Sequence, residues 1–175
     1  MTTTSQRFCY VVDHLTEALG NDPSSSLRRA MILADIDQYP GSTQTAIMER
    51  LGIHKSALNR EIEWLFNYGC ITRQDCREDA RSIRLETCGY SKKALAGALD
   101  YFEGNHSDLK GFLKGLGKLL KMEKPTLRDA KIVATLSERK TAEKSAVIAS
   151  IQGGSASSDN RAFNKLVEKG LVEDV

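Results

Sequence analysis

The sequence predicts a mainly α fold with a small β-hairpin, laid down twice along 175 residues. Three observations predict it. One segment recurs 100 residues further on, apolar residues return at helical spacing through most of the chain, and a stretch after Gly69 switches to strand-like alternation.

The repeat organises the rest. Ser26-Leu-Arg-Arg-Ala-Met-Ile-Leu-Ala-Asp-Ile36 aligns with Thr126-Leu-Arg-Asp-Ala-Lys-Ile-Val-Ala-Thr-Leu136, with five of eleven positions identical. After one inserted residue, Thr45 to Ile71 aligns with Ala146 to Val172. This pairs Ile47 with Ile148, Gly52 with Gly153, Asn59-Arg60 with Asn160-Arg161 and Gly69 with Gly170. Glycines matched at two turns point to duplication of one structural unit rather than to chance likeness between helices.

Taken in order, the N-terminal stretch Phe8, Val11, Val12, Leu15, Leu19 forms one face of a helix. The Ser24-Ser25-Ser26 run offers N-caps for a second helix built on Leu27, Ala30, Met31, Leu33, Ala34 and Ile36, which Tyr39-Pro40-Gly41 ends. A third helix runs from Thr43 to Leu51, burying Ile47 and Leu51, and Gly52 marks a short turn. A fourth covers His54 to Asn67, burying Leu58, Ile62, Leu65 and Phe66, with Gly69 as its cap. Cys70-Ile-Thr-Arg73 and Ser82-Ile-Arg-Leu85 then alternate as short strands around a polar, turn-prone segment. Residues 91–122 form two helices split near Gly104-Asn105, the first on Ala94, Leu95, Ala98 and Phe102. The second is built on Leu109, Phe112, Leu113, Leu116, Leu119 and Leu120. Helix, turn, helix and charged hairpin together describe a winged helix-turn-helix, here in tandem: residues 1–122 with flanking helices, then a truncated unit over residues 123–175.

The hairpin carries a family resemblance. Asp79-Ala-Arg81 leads into Ile83-Arg-Leu85, with Gly89 four residues beyond the leucine, and Leu51-Gly-Ile-His-Lys-Ser-Ala-Leu-Asn-Arg60 supplies a turn and recognition helix. In these motifs residues 5–122 resemble the MarR-type transcriptional regulators. The resemblance implies a homodimer interlocked by the helices that flank the winged unit, and a wing arginine, Arg81, oriented by Asp79 toward the minor groove. Many such regulators bind small phenolic effectors; no residue set in this chain identifies such a pocket.

Composition narrows the function classes. No apolar run approaches the roughly 20 residues of a membrane span, and the N-terminus has neither a basic leader nor a long apolar core, so the reading is a cytoplasmic, nucleoid-associated protein without a membrane partner. Cys9, Cys70, Cys76 and Cys88 lack metal-ligand spacing and read as free thiols. No phosphate-binding loop or nucleophile motif appears, and His14, His54 and His106 stand apart, so no catalytic residue, metal or cofactor is assigned. A net charge of +2 is too small for binding DNA by bulk charge. Binding must depend on where a few cations sit.

The candidate DNA-binding residues are His54, Lys55, Ser56, Asn59 and Arg60 on the recognition helix and Arg77, Arg81 and Arg84 on the wing. Lys55 and Ser56 suit phosphates or bases at a helix N-terminus, Asn59 and Arg60 suit base edges. Ser157, Asn160 and Arg161 form a secondary set at the matching places of the second copy. Lys110, Lys114, Lys118, Lys121 and Lys124 make a basic stripe that reads as a solvated face, or as a contact for DNA phosphates or an anionic membrane surface. The partner is double-stranded DNA and the leading function a sequence-specific, dimeric transcriptional regulator. A plasmid or phage replication or partition protein, and a winged-helix interaction scaffold, are the alternatives.

Overall fold

The computed structural model describes residues 4–78, 82–139 and 141–173. Its elements are α1 (Thr4–Ala18), α2 (Leu27–Gln38), α3 (Gln44–Leu51), α4 (Lys55–Asn67), β1 (Ile71–Asp75), β2 (Ile83–Thr87), α5 (Gly89–Asp100), α6 (His106–Leu120), α7 (Leu127–Arg139), α8 (Lys144–Ala149) and α9 (Ala156–Glu168).

Local chemistry sets most boundaries. Ser26 caps α2 by accepting from the Arg29 N–H at 3.1 Å, Thr43 caps α3 through the Ala46 N–H at 3.3 Å, and Asn105 caps α6 through Ser107 and Asp108. Gly52 closes α3 in the left-handed region at φ 64°. Strands β1 and β2 pair antiparallel from Ile71↔Thr87 to Asp75↔Ile83, and Cys76 extends the ladder by donating to the Ser82 carbonyl at 3.0 Å. Leu85 also bridges to Ser42, donating to its carbonyl at 3.0 Å while Gly41 donates back to Leu85 at 2.9 Å. The hairpin is thereby fastened to the start of α3.

One apolar core runs through the molecule. The α1 stripe of Val11, Val12, Leu15 and Leu19 is fully buried against α5 and α7, and α6 buries Leu109, Leu113, Leu116 and Leu120 largely against α2. Two expected core residues lie elsewhere. Phe66 is 41% exposed, with the Arg73 guanidinium 4.3 Å from its ring, and Leu119 is 53% exposed on the outer side of α6. Leu51 and Phe112 are half-buried, Phe112 packing its ring edge on Phe8 at 5.0 Å. Apolar spacing places a residue on a helix face without saying how far the neighbouring element reaches.

Charges embedded in the core tie α2 to its surroundings. Asp35 is fully buried and accepts from Arg50 Nε and Nη2 at 3.0 and 2.7 Å and from Lys110 Nζ at 3.0 Å. Asp37 accepts from Thr87 at the end of β2 and meets His106 Nε2 at 2.8 Å. Removing one member of a buried ion pair leaves the other uncompensated, which costs on the order of 3–5 kcal/mol. Lys110 is therefore not part of an outward basic stripe; Lys114, Lys118, Lys121 and Lys124 are exposed.

Helices α7, α8 and α9 follow in the order of α2, α3 and α4. Ser26 and Thr126 form an antiparallel bridge in which Leu27 donates to the Pro125 carbonyl at 3.0 Å and Leu127 to the Ser25 carbonyl at 2.9 Å. Equivalent residues exchanging equivalent bonds place a local two-fold axis between the starts of α2 and α7. The inserted residue falls later than the sequence alignment puts it. Thr43 and Glu143 are both N-caps, and Ile47 and Val147 are both fully buried, so the offset is 100 through α8 and becomes 101 only at Gly153. Ile148, aligned with Ile47 by sequence, is half-buried.

Glycines in helices divide into two kinds. A Cβ on Gly97 of α5 would lie 2.6 Å from the His14 ring on α1, whereas one on Gly115, exposed on α6, meets nothing within 4 Å. Gly115→Ala is expected to raise stability by about 0.5–1 kcal/mol, through restored helix propensity. Gly97→Ala should instead lower the urea midpoint. Equilibrium unfolding followed by circular dichroism checks both.

Candidate nucleic-acid interface

Helix α4 presents two faces of opposite character. Leu58, Ile62 and Leu65 are fully buried on the inner face. Glu61 is buried beside them and accepts from Arg29 Nε at 2.6 Å, with Arg28 Nη2 at 3.6 Å. The Arg29 guanidinium also lies 3.9 Å over the Trp64 ring, and Trp64 stacks on Tyr68 at 4.1 Å. Cation–π and ion-pair contacts on one arginine fix the rotation of α4 about its axis relative to α2.

The outer face carries His54, Lys55, Ser56, Arg60 and Glu63, all exposed. His54 is the N-cap in extended backbone, with Nδ1 3.1 Å from Ser56 Oγ. Lys55 and Ser56 thus occupy the first turn, where backbone N–H groups and the helix dipole favour an anion. Asn59 sits lower than its neighbours. It is half-buried, and its Oδ1 is shut from solvent with no hydrogen-bond partner among the described residues.

The hairpin is joined to this helix by Arg73 of β1, whose Nη2 donates to Glu63 Oε1 at 2.6 Å. Arg77 and Arg84 are exposed on the hairpin, and Arg84 Nη2 donates to Cys76 Sγ at 3.6 Å, a bond that raises the arginine's pKa further above its ordinary value. Asp79 and Arg81 lie outside the described residues. Of the predicted set, the structure brings Lys55, Ser56 and Arg60 onto one helix face and links that helix to the strand leading to Arg77.

The secondary set lies on α9. Ser157 and Arg161 are exposed, while Asn160 is half-buried and donates from Nδ2 to the Ala156 carbonyl at 2.8 Å. Sequence reasoning missed Arg28, which lines a cavity of about 400 Å³ with Arg60, Trp64 and Lys124. Its position within an apolar-patterned helix gave no sign of that role. Among the described residues no group of three histidine, cysteine or acidic side chains is arranged to hold a metal, and no helix is long and apolar enough to cross a membrane.

None of the four cysteines is in a disulfide, and their environments are unequal. Burial pushes the thiols of Cys9 and Cys70 above their ordinary pKa, so both are held in the less reactive protonated form. Alkylation of the native protein with iodoacetamide at pH 8 is therefore expected to leave Cys9 and Cys70 unmodified after Cys88 has reacted. Peptide mass mapping over a time course would show the order.

Residues 26–83, about a third of the chain, match the model of the MarR family. No curated protein matches. Solved structures give distant likenesses. A transcriptional regulator from Thermotoga maritima is 19% identical over 74% of this chain and 83% of its own, with a TM-score of 0.44. The transcriptional repressor CouR, bound to a DNA duplex, is 23% identical over 75% and 84%, with a TM-score of 0.41. FabT of Streptococcus pneumoniae, in complex with DNA, is 16% identical over 54% and 72%, with a TM-score of 0.38.

Proposed function

We propose that this chain, MarR-like from residue 26 to residue 83, is a DNA-binding transcriptional regulator rather than an enzyme. The observation that carries the reading is the two-faced α4: a polar row of Lys55, Ser56 and Arg60 outside, and a buried, ion-paired face that fixes its rotation. Such a helix enters a major groove about 12 Å wide with its N-terminal turn leading. Lys55 and Ser56 bind phosphate at that turn, Arg60 reads a base edge, and Arg77, Arg81 and Arg84 contact the flanking backbone or minor groove. Asn59, lower on the face, contributes after a change of rotamer.

The protein acts as a homodimer at the nucleoid, offering two recognition helices to half-sites one helical turn apart. Because the stripes of α1 and α6 are filled within the chain, the subunits meet over side chains that remain outside, Tyr10, Tyr90 and Leu119. Residues 123–175 form a second, truncated winged-helix-like domain, and Ser157, Asn160 and Arg161 add weaker DNA contacts.

Selection of bound genomic fragments, followed by gel shift on the enriched duplex, tests the reading. Arg60→Ala is expected to cost about 1–3 kcal/mol and relax preference at one base pair. Arg84→Ala should weaken all duplexes alike and reduce the salt slope by about one. Equal binding by wild type and both variants across salt concentrations would refute it.

A further inference from the structure

The two three-helix units differ in how one side is covered. Leu33, Ile36 and Cys70 are at most 1% exposed in the first unit. Their equivalents, Val133, Leu136 and Leu171, are each only half-buried. In the first unit α2 is covered by α6 and by β2, and the Leu85 of β2 is fully buried and bridges to Ser42. Among the described residues no strand lies over the second unit, and an open groove of about 740 Å³ takes its place, floored by those three residues with Phe163 and Val172.

The groove also differs in charge. Thr43 and Thr72 of the first unit are replaced by Glu143 and Glu173, both exposed at the rim, while Lys144, in the place of Gln44, is engaged with Asn164 Oδ1 at 2.8 Å and with the Phe163 ring at 5.0 Å. Thr72 pairs with Glu86, the residue after Leu85. Glu173 stands outside any strand; a segment paired to it in the register of Thr72 would set opposite it the position that follows the leucine, where opposite charge across a strand pair is favourable and like charge is not.

We propose that this groove binds an extended segment of a partner polypeptide in the place that β2 fills in the first unit. The segment carries a leucine-sized side chain for the floor, followed directly by lysine or arginine to meet Glu173. Strand addition of this kind joins main-chain hydrogen bonds to one specific pocket. The inference rests on the equivalence of the two units and not on DNA binding.

The probe is the fluorescein-labelled peptide Ser-Ile-Arg-Leu-Lys-Thr, which is residues 82–87 with Glu86→Lys, added to the full chain. Saturable binding is expected, with amide shifts in nitrogen-15 spectra confined to Val133, Leu136, Ala142, Leu171 and Val172. A Leu85→Asp peptide should bind at least about tenfold more weakly, and the unaltered Glu86 peptide about threefold more weakly. Leu136→Asp in the chain should abolish peptide binding while gel shifts stay unchanged. Should that variant fail to fold, Glu173→Lys serves instead and should reverse the preference between the two peptides. Absence of shifts at millimolar peptide overturns the proposal, as do shifts confined to the first hairpin or indifference to the leucine. Conversion of a dimer to a monomer by Leu136→Asp in sedimentation also overturns it, because a second copy would then fill the groove.

Discussion

A carboxylate with no access to water must be matched from within, and Asp35 is in that position. Its two partners come from different elements, Arg50 from α3 and Lys110 from α6, so satisfying one buried charge fixes two helices against α2. The consequences spread outward. Arg50 also donates to Ser42 Oγ at 2.8 Å and lies 4.3 Å over the Tyr39 ring, which sets the turn between α2 and α3. Ser42 in turn bridges to Leu85, so the attachment of the hairpin depends on the same cluster. The orientation of α4 is added by a second pair on α2, Arg29 with Glu61. Helix α2 is not the helix that reads the groove in this scheme, yet the geometry of α4 and of the hairpin is referred to it.

Much of this was legible in the sequence. The first-unit helices begin and end within a residue or two of the expected places, because serine, threonine and asparagine caps and left-handed glycines are local signals. The hairpin was legible from the change to alternating burial, although β1 runs two residues further than Arg73, to Asp75. What escaped was non-local. Nothing in the spelling of Lys110 separates it from Lys114, since only the folded chain brings Asp35 within 3.0 Å of one of them. Phe66 looks like core until Arg73 is seen lying across it. Asn59 reads as outward by helical spacing, but its amide oxygen is shut from solvent in the folded chain. At α8 identity and burial part ways: identity pairs Ile47 with Ile148, whereas Ile47 and Val147 are the two that are fully buried.

The two halves are more deeply joined than a tandem arrangement suggests. Lys131 on α7 donates to Asp13 on α1 at 2.6 Å, and Arg128 reaches Asp159 at 2.6 Å and Ser24 at 2.9 Å. Gln152 donates to Asn21 at 2.6 Å, closing the loop before α2 over the turn between α8 and α9. Helix α1 serves both halves, packing against α5 on one side and α7 on the other.

The reciprocal bridge at Ser26 and Thr126 has a consequence for the integrity of the chain. The first N–H of a helix ordinarily looks to its own preceding residues or to water; here Leu27 and Leu127 each look to the residue that leads into the other helix. Together with the shared core, this means that the halves are stitched by contacts rather than by the peptide link between them. A single proteolytic nick at the exposed Glu123 would cut the thread and leave the garment whole: the two fragments would stay associated, with α2 and α7 still completing one another's first turns.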